Sequence, residues 1–133
     1  MAGRLSLLFA AGCLGGLLNS LAVWGSAEAG LSSALGVAIA PHLTPLWLYP
    51  RIVWGGIWGL LFLLPWRRRA WLLRGLVFSL GPSLVQLFYV FPYQAGKGFG
   101  GLELGMLTPL LVLSFNAVWG VSAAAWLRLS RMR

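Results

Sequence analysis

The chain has 133 residues, of which 59% are hydrophobic and 9% charged. A soluble domain carries about 25% charged residues, so a water-covered globule is excluded and one all-α integral membrane domain spanning residues 1–133 is expected. The net charge of +8 comes from basic residues that flank apolar runs, which argues against a nucleic-acid partner and for the anionic surface of a lipid bilayer.

Residues 5–27 carry no charge between Arg4 and Glu28 and form the first expected span, since about 20 apolar residues cross a bilayer. Gly12, Gly16 and Asn19 share one of its faces. Within it, AAGC at 10–13 is similar to a lipoprotein signal. The apolar stretch before it is short for a signal core, Ala10 stands where such a signal usually has Leu, and the run stays apolar beyond Cys13. Neither cleavage nor lipidation is expected. The single cysteine has no intrachain disulfide partner.

Residues 26–51 are longer than a plain hairpin needs. LSSALGVAIA, 31–40, is apolar but too short to span, so a re-entrant or interfacial helix is expected over about 31–41, capped by Ser32 or Ser33. Pro41, Pro45 and Pro50 then prevent a long helix between them. The second span is expected over 46–66, starting near Leu46 or at Pro50 as a first-turn proline. Arg51 would lie just inside its end and snorkel outward. Gly55 and Gly59 make a GxxxG in this span, the kind of small-residue face on which membrane helices associate.

The third span, 71–92, carries a polar stripe of Ser79, Ser83, Gln86 and Tyr93 and is expected to stop near Phe91-Pro92. The loop at 91–101 holds Lys97 among glycines and reads as flexible. The fourth span, 104–127, lies between Glu103 and Arg128, with Asn116, Gly120 and Ala124 on one face. The fold expected is therefore a four-transmembrane-helix bundle with a short extra helix between its first two helices.

Four spans put both termini on one side. Arg4, Arg67, Arg68, Arg69, Arg74, Arg128, Arg131 and Arg133 fall on that side, and only Arg51 and Lys97 on the other. The positive-inside rule then makes both termini cytoplasmic in a cell inner membrane. Trp66, Trp71 and Trp126 would mark the cytoplasmic interface, and Trp24, Trp47, Tyr49 and Tyr93 the opposite one.

Depth relates the polar residues. At a rise of about 1.5 Å per residue, Asn19, Gln86 and Asn116 lie roughly 18–23 Å from Arg4, Arg74 and Arg128 respectively. Three amides on three helices thus share one layer. An unpaired amide in hydrocarbon costs several kcal/mol, so they are expected to bond one another, either as packing glue or as the lining of a path. No Asp, Glu, Lys or His lies at mid-depth, which counts against proton coupling.

A second candidate site lies at the opposite face, where the loops gather Glu28, His42, Tyr49, Arg51, Tyr93, Lys97 and Glu103. Arg51 beside Tyr and Pro suits an anionic group, or else pairs with Glu28 or Glu103. His42 has no companion His or Cys, so no metal is expected. KGFGG lacks the context of a phosphate loop. There are no paired carboxylates in a span, no Ser-His-Asp spacing and no Cys-His pair, so neither an enzyme nor a cofactor is expected.

In length, basicity and number of spans the chain is similar to fluoride channels and to small multidrug transporters. SFNAVWG, 114–120, lacks the Thr- and Ser-rich broken helix of the first, and Glu28 lies past the end of the helix in which the second carry a mid-membrane Glu. No residue role follows from either. The function expected is a structural or assembly protein of the membrane, a homo-oligomer or a member of a larger membrane complex, with Gly12, Gly16, Gly55, Gly59 and Gly120 as packing residues and Trp54 and Trp58 exposed. The alternative is an oligomeric channel or carrier for a small neutral or anionic solute, lined by the amide layer and the segment at 31–41.

Overall fold

The computed structural model describes residues 2–39, 41–64, 70–94 and 96–130. Ala40, Trp66, Arg67, Arg68, Arg69, Arg131 and Arg133, all invoked above, lie outside the described residues. The elements are α1 (Ala2–Glu28), α2 (Leu31–Ala34), α3 (Pro45–Trp58) prolonged by a 3₁₀ stretch (Gly59–Leu63), α4 (Trp71–Phe78), α5 (Leu80–Val85) continued by a π-helical stretch (Gln86–Gln94), a 3₁₀ segment (Phe99–Leu104) and α6 (Thr108–Leu129). No strand occurs among the described residues. Four helices are long and apolar enough to cross a membrane: Gly3–Glu28, Pro45–Leu63, Trp71–Gln94 and Thr108–Leu129.

α1 has no proline and runs without a break. It packs between α3 and α6, and α4 packs on α6. The spans are therefore ordered second, first, fourth, third. We call the end near Arg4 and Arg128 the terminal end, and the opposite one the loop end.

At the terminal half, small residues bring backbones together. A Cβ added to Gly55 would lie 2.7 Å from the carbonyl oxygen of Gly12, and one on Gly59 2.6 Å from that of Leu8. Gly16 meets α3 in the same way, 2.8 Å from the Arg51 carbonyl oxygen. On the other flank, a Cβ on Gly75 would stand 2.5 Å from the Gly120 carbonyl oxygen. Below these contacts Leu8, Phe62, Phe78, Trp119 and Leu127 form a buried cluster, with the Phe62 ring edge-on to Phe78 at 5.0 Å. Such contacts are individually small but numerous, which suits helices that pack without a hydrophobic driving force.

Arg74 is buried in this cluster, 4% exposed. It does not behave as a surface anchor. Leu64, which precedes Pro65, is extended, as a residue before proline tends to be. The last carbonyls of a helix lack intrahelical donors. The Arg74 guanidinium supplies them, donating to the oxygens of Phe62 and, at 3.0 Å, Leu64, between the rings of Phe62 and Phe78.

The second span starts at Pro45, next to the expected Leu46, where the Thr44 hydroxyl accepts from the Trp47 N–H at 3.3 Å; Pro50 is interior rather than first-turn. Three boundaries differ from expectation. The third span continues past Pro92 to Gln94 in π register, where the wider turn moves the carbonyl four residues back away from the proline ring. The fourth begins at Thr108 with Pro109 in its first turn. The residues before it form the tight 3₁₀ segment, where Gly101 is left-handed (φ 68°) and a Cβ would press on the Phe91 ring at 2.5 Å.

The third difference is the segment 31–41. Only Leu31–Ala34 is helical, and it begins from left-handed Gly30, with no side-chain cap from either serine. Gly36 is left-handed (φ 73°) and turns the chain over the loop end. Ala38 N–H donates to the Leu104 oxygen at 2.8 Å, and Val37 is buried with Val23, Leu111 and Phe115. The segment is a short turn followed by a strap across the loop ends of α1 and α6.

Candidate functional site

Trp47, Arg51 and Gly55 stand four residues apart on α3 and share a face, so the glycine contact that seats α3 on α1 also aims Arg51 at α1. Its side chain turns inward. Arg51 Nη2 donates to Asn19 Oδ1 at 2.7 Å, and Nε to Ser20 Oγ at 2.9 Å. The Ser20 hydroxyl in turn donates to the Gly16 oxygen at 2.7 Å. The guanidinium carbon lies 4.7 Å from the centre of the Trp47 ring, a cation–π distance. The expected outward snorkelling does not occur. Neither Glu28 nor Glu103, the chain's two acidic residues, pairs with Arg51, and both side chains are exposed. Buried hydroxyl and amide acceptors on the neighbouring helix hold the guanidinium inward.

From Arg51 the hydrogen bonds run in one direction. Asn19 Nδ2 donates to Asn116 Oδ1 at 3.2 Å and to the Phe115 carbonyl at 2.6 Å. Asn116 Nδ2 donates to Gln86 Oε1 at 3.3 Å and to Ser83 Oγ at 3.1 Å. Ser83 donates to the Ser79 carbonyl at 2.8 Å. The direction has a cause. A guanidinium only donates, so Asn19 must turn its oxygen to Arg51 and its amino group to Asn116, and Asn116 must repeat the pattern toward Gln86. Aligned in this way, each bond polarises the next.

The structure thus joins Asn19, Ser83, Gln86 and Asn116, with Ser79 as a backbone acceptor, and adds Arg51 and Ser20 to them. Ser20 sits beside Asn19 in the sequence and is fully buried. Its hydroxyl gave no separate signal, because serine bonds its own helix so readily. Trp119, also unforeseen, donates its indole N–H to the Gly55 carbonyl at 3.1 Å and so bridges α6 to α3.

The loop residues behave otherwise. Glu28, His42, Tyr49, Lys97 and Glu103 are exposed, and no hydrogen bond or ion pair joins their side chains. Tyr93 packs between Tyr89 and Phe99, at 6.0 Å from each ring centre. Of the gathering expected at that face, the structure joins Lys97 and Glu103 through their backbones, the Glu103 N–H donating to the Lys97 oxygen at 3.1 Å, while the side chains stay exposed. Among the described residues no three His, Cys, Asp or Glu side chains come together.

Next to the polar chain lies a cavity of about 350 Å³, lined by Asn19, Arg51, Gln86 and Asn116 and walled by Trp47, Phe91 and Phe115, with Ala38 and Ile39 of the strap at its loop end. No carboxylate lines it, so Arg51 sets its charge. Of the five N–H groups of a guanidinium, Arg51 commits two. Gln86 accepts through its oxygen, and its amino group has no partner among the described residues. The cavity therefore offers positive charge and spare N–H donors to whatever enters it.

No family model, no curated protein and no solved structure matches this chain.

Proposed function

We propose that the protein is a multi-pass protein of a cell inner membrane, with both termini cytoplasmic, that binds a small anionic solute at Arg51 as a carrier. The observation that carries this reading is the inward-turned Arg51, without a carboxylate partner, in a cavity that offers spare donors. A cation held among apolar helices without a counter-charge is costly, and an anionic ligand would offset that cost with charge-assisted hydrogen bonds. The terminal half is closed by the glycine contacts and the aromatic cluster, which favours a one-sided binding state over an open pore. Charge counting along the sequence supports the orientation: eight of the ten Lys and Arg residues flank the span ends assigned to the terminal side.

The test is a titration of the purified protein with inorganic phosphate, acetate and chloride, followed by the fluorescence of Trp47 beneath Arg51 and assigned with Trp47→Phe. At least one anion should give a saturable response. Arg51→Met should weaken it at least about ten-fold, which corresponds to about 1.4 kcal/mol. Anion flux in proteoliposomes that disappears with Arg51→Met supports carriage. No response to any anion, or an unchanged response in Arg51→Met, refutes the reading.

One observation favours a second function, an assembly protein that self-associates or docks to a larger membrane complex. The most apolar window of the second span is 22% buried against 50% for the fourth, which leaves Val53, Trp54 and Ile57 exposed. The GxxxG that suggested self-association does not support it, since Gly55 and Gly59 are covered by α1 of the same chain. Light scattering in detergent tests self-association and copurification from solubilised membranes tests docking: a strict monomer that copurifies with no other membrane protein removes this second function.

A further inference from the structure

The polar cavity is not the only approach to Arg51. The second and third spans are separated by the first and fourth, and α3 does not pack along α5 or the π-helical stretch. Their side chains meet toward the terminal end, where Trp58 and Leu61 reach Gly81 and Phe62 meets Phe78. Beyond that meeting point a crevice of about 460 Å³ opens sideways, its walls Trp54 and Trp58 on one side and Pro82, Val85 and Tyr89 on the other. Trp54, Val85 and Tyr89 are exposed, so this opening faces the medium around the bundle, which for apolar spans is the lipid. Arg51 and Gln86 line both the crevice and the central cavity. The spare donors therefore stand where an apolar side entrance meets a polar chamber.

A soluble anion has no use for an aromatic and aliphatic side entrance. An amphiphile has use for both parts. We propose that the ligand is an anionic membrane phospholipid, whose phosphate rests on Arg51 and Gln86 while an acyl chain lies in the crevice between Trp54, Trp58, Val85 and Tyr89. This rests on the anion-binding reading above and specifies its ligand. Phosphate matches the planar donor fork of a guanidinium, and the crevice supplies the acyl chain with contacts that lie outside the polar chamber. Pro82 and the widened turns from Gln86 onward carry the third span away from a regular helical path, which keeps the crevice from closing.

The test uses the full chain in phosphatidylcholine nanodiscs containing a minor fraction of phosphatidylglycerol brominated on its acyl chains, or of phosphatidylcholine brominated in the same way. Bromine quenches tryptophan at contact. The crevice signal is the difference between the wild type and Trp54→Phe/Trp58→Phe. That signal should be quenched at least about three-fold more strongly by the brominated phosphatidylglycerol, and Arg51→Met should remove the preference. Val85→Trp fills the crevice without touching Arg51. It should remove the preference while the response to inorganic phosphate persists, which also serves if Arg51→Met does not fold. Equal quenching by both lipids, with a saturable phosphate response, overturns this inference and leaves the anion-binding reading standing. Equal quenching with no response to any soluble anion overturns both. A preference that survives both Arg51→Met and Val85→Trp places the lipid elsewhere and overturns the inference.

Discussion

At the terminal half of the bundle, Gly12 and Gly16 of α1 press against Gly55 and Gly59 of α3, Gly75 presses against Gly120, and aromatic rings fill the remaining space. Toward the loop half the first and second spans stay in contact at Gly16 and Arg51, the third span leaves the second, and two cavities meet at Arg51 beside Asn19, Gln86 and Asn116. The difference follows from side-chain size and backbone regularity. Where the facing residues lack side chains, helices approach until carbonyls touch neighbouring backbones. Where the third span carries Pro82 and a π-helical turn it stays apart from the second, and hydrogen bonds among amides and the guanidinium fill the space between. A rigid closed half beside an open polar half is an arrangement suited to holding a ligand in place.

The largest effect should come from breaking the closed half. Gly55→Leu places a side chain against the backbone of Gly12 and Gly16, where neither can give way. Overpacking of this kind costs about 1–3 kcal/mol and at times more, and here it meets backbone on both sides. The variant should lose its unfolding transition in an SDS titration or fail to run as a single species in detergent. Gly25→Leu is the control: a Cβ on Gly25 meets nothing within 4 Å, so its stability should match that of the wild type. If both variants behave alike, the closeness of α1 and α3 is not what holds that half together.

A smaller effect is expected in the open half. Asn116→Leu removes one of the two acceptors of Asn19 Nδ2, leaving the Phe115 carbonyl, and the donor to Ser83 and Gln86. Stranding buried polar groups costs about 1–3 kcal/mol, at the lower end here because the adjoining cavity can admit water. The SDS midpoint should fall by less than in Gly55→Leu. The anion response should weaken several-fold without vanishing, since Arg51 keeps Asn19 and Ser20. A response identical to that of the wild type would separate Gln86 from the site.

The smallest effect concerns the link between the halves. Trp119→Phe keeps an aromatic ring near Phe62 but loses the indole bond to the Gly55 carbonyl. A net loss of about 0.5–1.5 kcal/mol is expected, read as a shift in the same SDS midpoint with no change in anion affinity. A change in affinity would mean that Trp119 holds Arg51 in position through α3.

Much of this could be read locally. Lack of charge over spanning length marked three of the helices, the second span being interrupted by Arg51, and a rise of about 1.5 Å per residue put Asn19, Gln86 and Asn116 at one height, where the structure links them by hydrogen bonds. Arg51 was legible as a group suited to an anion but not as part of that layer. A guanidinium on a long flexible stem reaches outward or inward with equal ease, and the choice depended on Ser20 and Asn19 of a helix some thirty residues away. The loop residues were close in expected height, but the structure joins only the backbones of Lys97 and Glu103 among them by a hydrogen bond, since left-handed glycines such as Gly36 and Gly101 direct the chain in ways that composition does not encode.

What the sequence determined by itself is the number of apolar helices, their approximate limits and the depth of their polar residues, because hydropathy and helical rise are properties of one segment at a time. Which faces meet was decided only in the tertiary structure. The GxxxG of the second span is covered by the first span of its own chain, Arg51 turns into the bundle, and the second and third spans stand apart. Each of these depends on the relative rotation of helices distant in sequence, and that rotation is set by all the contacts acting together.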